Sequence, residues 1–241
     1  MLHKRVFGLF LRRLRLFIFG AQQGVSFAWL SKKMTIYPTL RLLQESQSYF
    51  AFSEDIEKEA NAIYEETVLE KSGKVADEAW NAERSLCVLL YSHILTRQPK
   101  IVIETGVANG ITTNVIMAAL ERTGGELHSF DVISSAGMVY SGPGRWTFHL
   151  LKSKNLFREL RMFVRKISQV NLWLHDSNHG YTWQKFEYEL ALQVLGDGCC
   201  LISDDIDASP AFGEISGRLN FYTFGLVDNR KLIGVARKVI N

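Results

Sequence analysis

Lys100-Ile101-Val102-Ile103-Glu104-Thr105-Gly106-Val107-Ala108-Asn109-Gly110 is the stretch whose reading decides the fold. An apolar run of strand length stops at an acid and gives way at once to a glycine-spaced turn. Later runs repeat the pattern. Leu127-His128-Ser129-Phe130 ends at Asp131, Val170-Asn171-Leu172-Trp173-Leu174 leads to His175-Asp176-Ser177-Asn178-His179, and Cys199-Cys200-Leu201-Ile202-Ser203 ends at Asp204-Asp205. Short apolar runs separated by amphipathic stretches predict buried parallel strands joined by crossover helices. In open sheets of that kind ligands bind beyond the carboxyl ends of the strands. The spacing therefore brings Glu104, Asp131, Asp176, His179, Asp204 and Asp205 to one rim.

The composition suits that reading. A chain of 241 residues that is 47% hydrophobic and 22% charged can bury a full core, either as one domain with an appendage or as two small domains. Its charge is unevenly spread. Residues 1–44 hold eight of the 28 Lys and Arg and none of the 25 acids, which leaves 20 bases against 25 acids, a net of −5, over residues 45–241. A mildly acidic body gives no electrostatic case for nucleic acid as a partner. Cys87 and the vicinal Cys199-Cys200 lack metal-ligand spacing and read as small buried hydrophobes, which suits a reducing, cytoplasmic compartment.

The chain divides into three parts: a basic arm (1–44), a helical cap or linker (45–80) and an α/β domain (81–241). Within the arm, at about 100° per residue, Val6, Phe7, Phe10, Leu11, Leu14, Phe17 and Ile18 share one helix face opposite Lys4, Arg5, Arg12, Arg13 and Arg15. The arginines interrupt the segment, so it is not a spanning helix. Three readings stand: a helix lying on an anionic membrane surface through residues 1–20, a helix docked on the body or on a second subunit of a homo-oligomer, and a cleavable targeting segment. Residues 45–80 are rich in Glu, Ala and Lys, with Gly73 as the break, and Glu83 to Thr96 forms a second amphipathic helix. Strands are then expected at 100–105, 126–132, 146–151, 170–175 and 198–203. Helices are expected at 111–122, 155–167 and 182–195, with a short one near 210–219. An antiparallel hairpin, 221–227 and 231–238, closes the chain.

Glu104-x-Gly106-x-Ala108-x-Gly110 follows a strand and opens a helix. Gly106 permits a tight turn and close approach of a ligand to the backbone, and Gly110 lets the helix begin beside it with its N–H groups free. Asp131 ends the next strand 21 residues later, where the ribose-binding acid of a nucleotide fold belongs. The loop lacks the Gly-x-Gly-x-x-Gly spacing of dinucleotide folds, and Glu104 would repel a pyrophosphate. It suits a ligand with a positive amino group beside its ribose, as in S-adenosylmethionine.

These residues carry a resemblance. From about Glu83 to Lys238 the chain resembles the class I S-adenosylmethionine-dependent methyltransferases. The resemblance rests on Glu104 to Gly110, Ser129-Phe130-Asp131, Leu174 to His179 with Tyr181, Phe186-Glu187-Tyr188-Glu189, and Ser203-Asp204-Asp205-Ile206. It implies a doubly wound, mostly parallel Rossmann-like sheet with a C-terminal antiparallel hairpin, preceded here by an N-terminal helical extension. The chain departs from similar proteins where their third strand ends Gly-Asp-Ser, since it has Leu151-Lys152-Ser153. Lys152 cannot accept a hydrogen bond from the adenine amino group. Either cofactor binding is weakened, or backbone atoms and other side chains hold the adenine.

Asp176, Asp204 and Asp205 at two neighbouring strand ends would repel one another unless something positive intervenes. A divalent cation such as Mg²⁺ is the hard partner expected for such oxygens, with open positions left for substrate. The resemblance to sugar O-methyltransferases that act on macrolides implies these three acids as metal ligands and His179 as the base. The competing reading is that Asp204 caps the following segment and Asp205 makes a structural salt bridge. His175, His93, His128 and His149 read as structural, and Trp183 and Tyr181 either line an acceptor pocket or pack. Taken together, Glu104, Gly106, Ala108, Gly110 and Asp131 are expected to hold S-adenosylmethionine, while Asp176 and His179 serve transfer of its methyl group to oxygen of a small hydroxylated acceptor. The alternative is a catalytically silent binding or scaffold protein tethered by its arm, and Lys152 is the residue that favours it.

Overall fold

The computed structural model of the chain describes residues 24–50, 52–167, 169–218, 220–229 and 231–239. Its strands are Thr35–Tyr37 (β1), Ile101–Thr105 (β2), Glu126–Asp131 (β3), Arg145–Leu150 (β4), Val170–His175 (β5), Leu195–Ser203 (β6), Phe221–Asp228 (β7) and Lys231–Lys238 (β8). They form one eight-stranded sheet in the order β1-β7-β8-β6-β5-β2-β3-β4. The chain runs outward from β2 through β3 to β4, then crosses back to β5 and β6 on the other side. The β2/β5 boundary is therefore the topological switch point, where a doubly wound sheet opens a crevice.

Strand side chains alternate between faces, and the two cores follow that period of two. Val102, Leu172, Leu174, Cys200 and Ile202 enter one core with the buried faces of helices Arg84–Arg97 and Ile111–Thr123. Ile103, Trp173 and Leu201 enter the other with Leu160, Val164, Tyr188 and Ala191 from helices Leu156–Val164 and Tyr181–Val194. Both faces of the central strands are covered, which is why those runs read as continuously apolar.

The closing hairpin reverses direction within the sheet. β8 lies antiparallel between β6 and β7, with Ser203 opposite Gly234 and Asp228 opposite Lys231. Asn229, at φ 40°, takes the left-handed conformation that a tight hairpin turn requires. Because β8 is antiparallel to β6, it begins where β6 ends. Its first residue, Lys231, thus arrives at the carboxyl rim. The neighbouring Asp228 is buried and accepts from the backbone N–H of Ser85 (3.3 Å) and of Leu86 (3.0 Å). It caps helix Arg84–Arg97 from a different element.

The structure departs from expectation at the N-terminal side. Within the segment assigned to the arm by charge, Thr35–Tyr37 forms β1, parallel to β7, and helices span Phe27–Leu30 and Leu40–Ser46. Tyr37 and Leu43 join one core and Leu30 and Met34 the other, so the boundary at residue 44 cuts through elements packed into the sheet. The amphipathic pattern of residues 4–18 lies outside the described residues. The expected helical cap holds the end of helix Leu40–Ser46, a 3-10 turn at Ser48–Phe50, one long helix at Glu54–Lys71, and then a loop and a second 3-10 turn at Glu78–Trp80. Among the described residues no helix is long and apolar enough to cross a membrane.

Candidate functional site

At the switch point the β2 loop passes directly against the β5 loop. Gly106 has φ +85°, and a Cβ there would stand 2.0 Å from the Asp176 carbonyl oxygen. Only glycine fits both the conformation and the space. Gly110 closes the loop at φ +76°, with Val139 pressed into the space a Cβ would need, and Ala108 between them also has positive φ (47°).

Glu104 lies beneath this loop. It is fully buried, and its carboxylate accepts from the hydroxyls of Thr112 (2.6 Å), Thr113 (2.7 Å) and Ser129 (2.6 Å). Burial raises its pKa to about 7, with the three hydroxyls pulling the other way. Glu104 does not line the cavity above it. The expected contact with a ligand amino group is thus corrected: every oxygen is engaged from within the fold, and the residue fastens the first turn of helix Ile111–Thr123 to β2 and β3.

Asp131 does reach the cavity. One carboxylate oxygen accepts from the N–H of Val107 (2.7 Å) and of Ala108 (3.0 Å), and the other from that of Ile133 (2.8 Å). A carboxylate offers about four acceptor positions, so one remains for a hydroxyl from a ligand. The same carboxylate therefore shapes the loop and faces what the loop would hold.

The cavity measures about 580 Å³. Val132, Ile133, Leu151 and Leu156 give it an apolar section, and Trp80, Asn81 and Trp183 also border it. The segment carrying Trp80 and Asn81 is held by Asn109. The Asn109 side chain accepts from the N–H of Val75 and of Ala76 (both 2.8 Å) and donates to Asn81 Oδ1 (2.9 Å). Lys152 does not line the cavity; its N–H and that of Ser153 donate to Glu159 (3.0 and 2.7 Å). Tyr181 is likewise absent from the lining and donates to Glu214.

The acidic end of the rim is organised around a cation. Lys231 Nζ donates to Asp204 Oδ2 at 2.5 Å and lies 3.7 Å from Asp205 Oδ2. His179 Nδ1 stands 3.3 Å from the same Asp205 oxygen, and its Nε2 is 3.9 Å from Asp176 Oδ1. Burial, then the Asp204 charge, pushes the Asp176 carboxyl well above the usual carboxylate range, with Lys231 opposing. Burial alone would lower the Lys231 pKa, but the Asp204 and Asp176 carboxylates raise it above its ordinary value. Two of the three expected metal ligands, Asp204 and Asp205, thus sit against an ammonium, and the third, Asp176, feels its charge. Among the described residues, no group of three or more His, Cys, Asp and Glu is arranged to hold a metal ion. The donor set as it stands does not fit a divalent ion, because Lys231 already supplies the positive charge that the crowded acids require.

One participant was read from sequence only as part of the Phe186-Glu187-Tyr188-Glu189 motif and was given no role there. Glu187, on helix Tyr181–Val194, is buried and accepts from Thr105 Oγ1 (2.5 Å), from Ser177 Oγ (2.9 Å) and from His175 Nδ1. Trp183 Nε1 donates to the same Ser177 hydroxyl (2.9 Å). This network ties the ends of β2 and β5 to one helix and fixes the turn that presents Asp176 and His179. Its sequence signal is an acid on the face of an amphipathic helix that should be apolar.

Residues 103–206 match the family model described as a methyltransferase domain. A methyltransferase from Podospora anserina in its SAH-bound form aligns with TM-score 0.56 and 12% identity, over 78% of this chain and 97% of that one. An O-methyltransferase of tomaymycin synthesis from Streptomyces achromogenes, in complex with SAM, aligns with TM-score 0.52 and 13% identity, over 78% and 92%. A methyltransferase of the mycinamycin biosynthetic pathway, in complex with Mg and SAH, gives 0.51 and 13% over 75% and 54%. No curated protein matches the chain significantly. At these identities the likeness establishes the fold, which is the Rossmann-like methyltransferase fold.

Proposed function

We propose that this chain, a methyltransferase by its matched domain and its fold, transfers the methyl group of S-adenosylmethionine to an oxygen of a small hydroxylated acceptor. The observation that carries the reading is the cavity at the switch point, where the Gly106 to Gly110 loop and Asp131 meet the Asp176–His179 turn. Asp131 accepts from a ribose hydroxyl, and Val132, Ile133, Leu151 and Leu156 supply an apolar slot for adenine. Cavity-lining Asp131, Glu187 and Asp205 outnumber Lys231, a balance that suits a cationic sulfonium and disfavours anionic acceptors.

A sulfonium methyl is already electrophilic, so the enzyme's work is to align the acceptor and remove its proton. With Asp205 beside His179 Nδ1, the imidazole proton rests on Nδ1 and Nε2 is left as the base. The acceptor oxygen forms a bond to the methyl carbon as the carbon–sulfur bond breaks. The bonding pair returns to sulfur, leaving neutral S-adenosylhomocysteine, and the hydroxyl proton passes to His179 and then to solvent. No step requires a metal ion.

Calorimetric titration with S-adenosylmethionine tests the reading, followed by screening of hydroxylated acceptors for S-adenosylhomocysteine release. Expected outcomes are saturable cofactor binding and turnover that His179→Ala abolishes with cofactor affinity kept. A wild-type protein that binds no cofactor at millimolar concentration would end the proposal.

A further inference from the structure

Three carboxylates, one imidazole and one ammonium meet where β5, β6 and β8 end or begin. Asp204 is wholly buried and Lys231 nearly so, with 9% of its side chain exposed. A buried pair of this kind persists only when its geometry is good, because both charges lose their hydration. Here Nζ lies 2.5 Å from Asp204 Oδ2 and 3.7 Å from Asp205 Oδ2, and Lys231 lines the same cavity as Asp176, His179 and Asp205. Asp205 Oδ2 is shared, with His179 Nδ1 at 3.3 Å on its other side. The hairpin fixes the lysine there, since Lys231 is the first residue of β8 and pairs with Asp228 across the turn.

We propose that Lys231 is a built-in cation in this carboxylate cluster, a positioning residue that takes the place of a divalent metal ion and makes the site metal-independent. The inference rests on the methyltransferase reading above for its functional meaning, but its structural content stands alone. Lys231 neutralises Asp204 and holds Asp205, and Asp205 in turn orients the His179 ring. An ammonium does this with one point charge and no open coordination position, so the acceptor is aligned by the protein walls and not by a Lewis acid. The arrangement also implies a latent metal site. Removing the ammonium while keeping the acids would leave Asp176, Asp204 and Asp205 as unbalanced oxygen donors, the chemistry that hard divalent cations bind.

The experiment uses Mn²⁺ alone as probe, with binding read from loss of the free-ion electron paramagnetic resonance signal in full-length protein. Wild-type protein is expected to leave millimolar Mn²⁺ free. Lys231→Met should take up about one ion per chain, as expected for a site of three carboxylates, and that uptake should vanish in Lys231→Met combined with Asp204→Asn. Lys231→Arg, which keeps the charge, should behave as wild type. Uptake of one ion by wild-type protein that Asp204→Asn removes would overturn the proposal, since Lys231 would then step aside for a metal. Folded Lys231→Met that leaves Mn²⁺ free would overturn it equally, because the acids would not form a latent site. Should Lys231→Met fail to fold, Lys231→Gln carries the same readout and the wild-type measurement still decides. Titration of the same samples with S-adenosylmethionine separates the two readings. A wild type that binds neither probe refutes the methyltransferase proposal and leaves this one in place.

Discussion

The two ends of the cavity balance their buried acids in different ways. Around β2 and β3, Glu104 is satisfied by hydroxyls of Thr112, Thr113 and Ser129, and Asp131 by backbone amides of Val107, Ala108 and Ile133. Asp131's amides all lie within the loops it joins. Around β5 and β6, Asp204 and Asp205 are balanced by the side chain of Lys231, which a separate antiparallel strand delivers. The first solution is neutral hydrogen bonding and is built largely from one βαβ unit. The second is an ion pair whose partner comes from the end of the chain. The first end is therefore rigid and shaped for one ligand, and the second can be rewired by a single substitution.

The largest effect should come from breaking the seam between the two ends. Gly106→Ala places a Cβ 2.0 Å from the Asp176 carbonyl at φ +85°. Overpacking against backbone and a left-handed alanine together should cost roughly 3–4 kcal/mol in urea unfolding. Binding of S-adenosylmethionine should be lost in the same variant.

Next comes the proton balance of the first end. The folded-state pKa of Glu104 is raised from the usual 4.5 to about 7, so the folded state holds its proton to higher pH than the unfolded chain does. Stability from this group is greatest below 4.5 and falls as pH climbs through 7, a loss of about 3 kcal/mol in all. Asp228, raised by burial to about 6, adds to the slope with the same sign. Glu104→Gln keeps the shape and a partner for the hydroxyls but does not titrate. Its unfolding free energy should fall less steeply than that of wild type between pH 4.5 and 7. Equal slopes would mean that Glu104 is ionised throughout.

Asp131→Ala should be milder in its effect on the fold and specific in its effect on the ligand. Three amides lose their acceptor, but they lie at the cavity, where water can replace it. Affinity for S-adenosylmethionine should fall roughly 30-fold, about 2 kcal/mol, on calorimetric titration. Lys231→Met should leave that affinity much closer to wild type, which would separate the two ends functionally.

What was legible in the sequence follows the same division. The runs from Lys100 to Gly110 and from Leu127 to Asp131 carry their own partners nearby, so strand, turn and acid could be read together. The doubly wound order follows from such repeats. Lys231 was illegible because attention to the carboxyl ends of parallel strands passes over a residue at the start of an antiparallel one. Thr35–Tyr37 was missed for a related reason. It is three residues long, and its pairing with Phe224 to Leu226 is set by contacts nearly 190 residues away, with no periodicity of its own. Glu187 has a visible signal, a buried acid on a helix, but its partners Thr105, His175 and Ser177 belong to two strands that only the sheet brings together.

Lys152 tests the comparison at its smallest scale. By position it stands where similar proteins place an acid near the adenine, which made it a reason to expect weak cofactor binding. Its side chain does not line the cavity, while its backbone N–H is held by Glu159 together with that of Ser153. The neighbouring Leu151 faces the cavity instead, beside Val132, Ile133 and Leu156. Burial of an adenine against such side chains contributes roughly 25 cal/mol per Å² and asks nothing of Lys152. Lys152→Ala should accordingly leave the dissociation constant for S-adenosylmethionine within about twofold, since exposed substitutions away from caps and cores stay within about 0.5 kcal/mol. Leu151→Ala should weaken binding more than Lys152→Ala does. A tenfold change on removing Lys152, in either direction, would place its side chain at the adenine and move the first end of the cavity from apolar to electrostatic recognition.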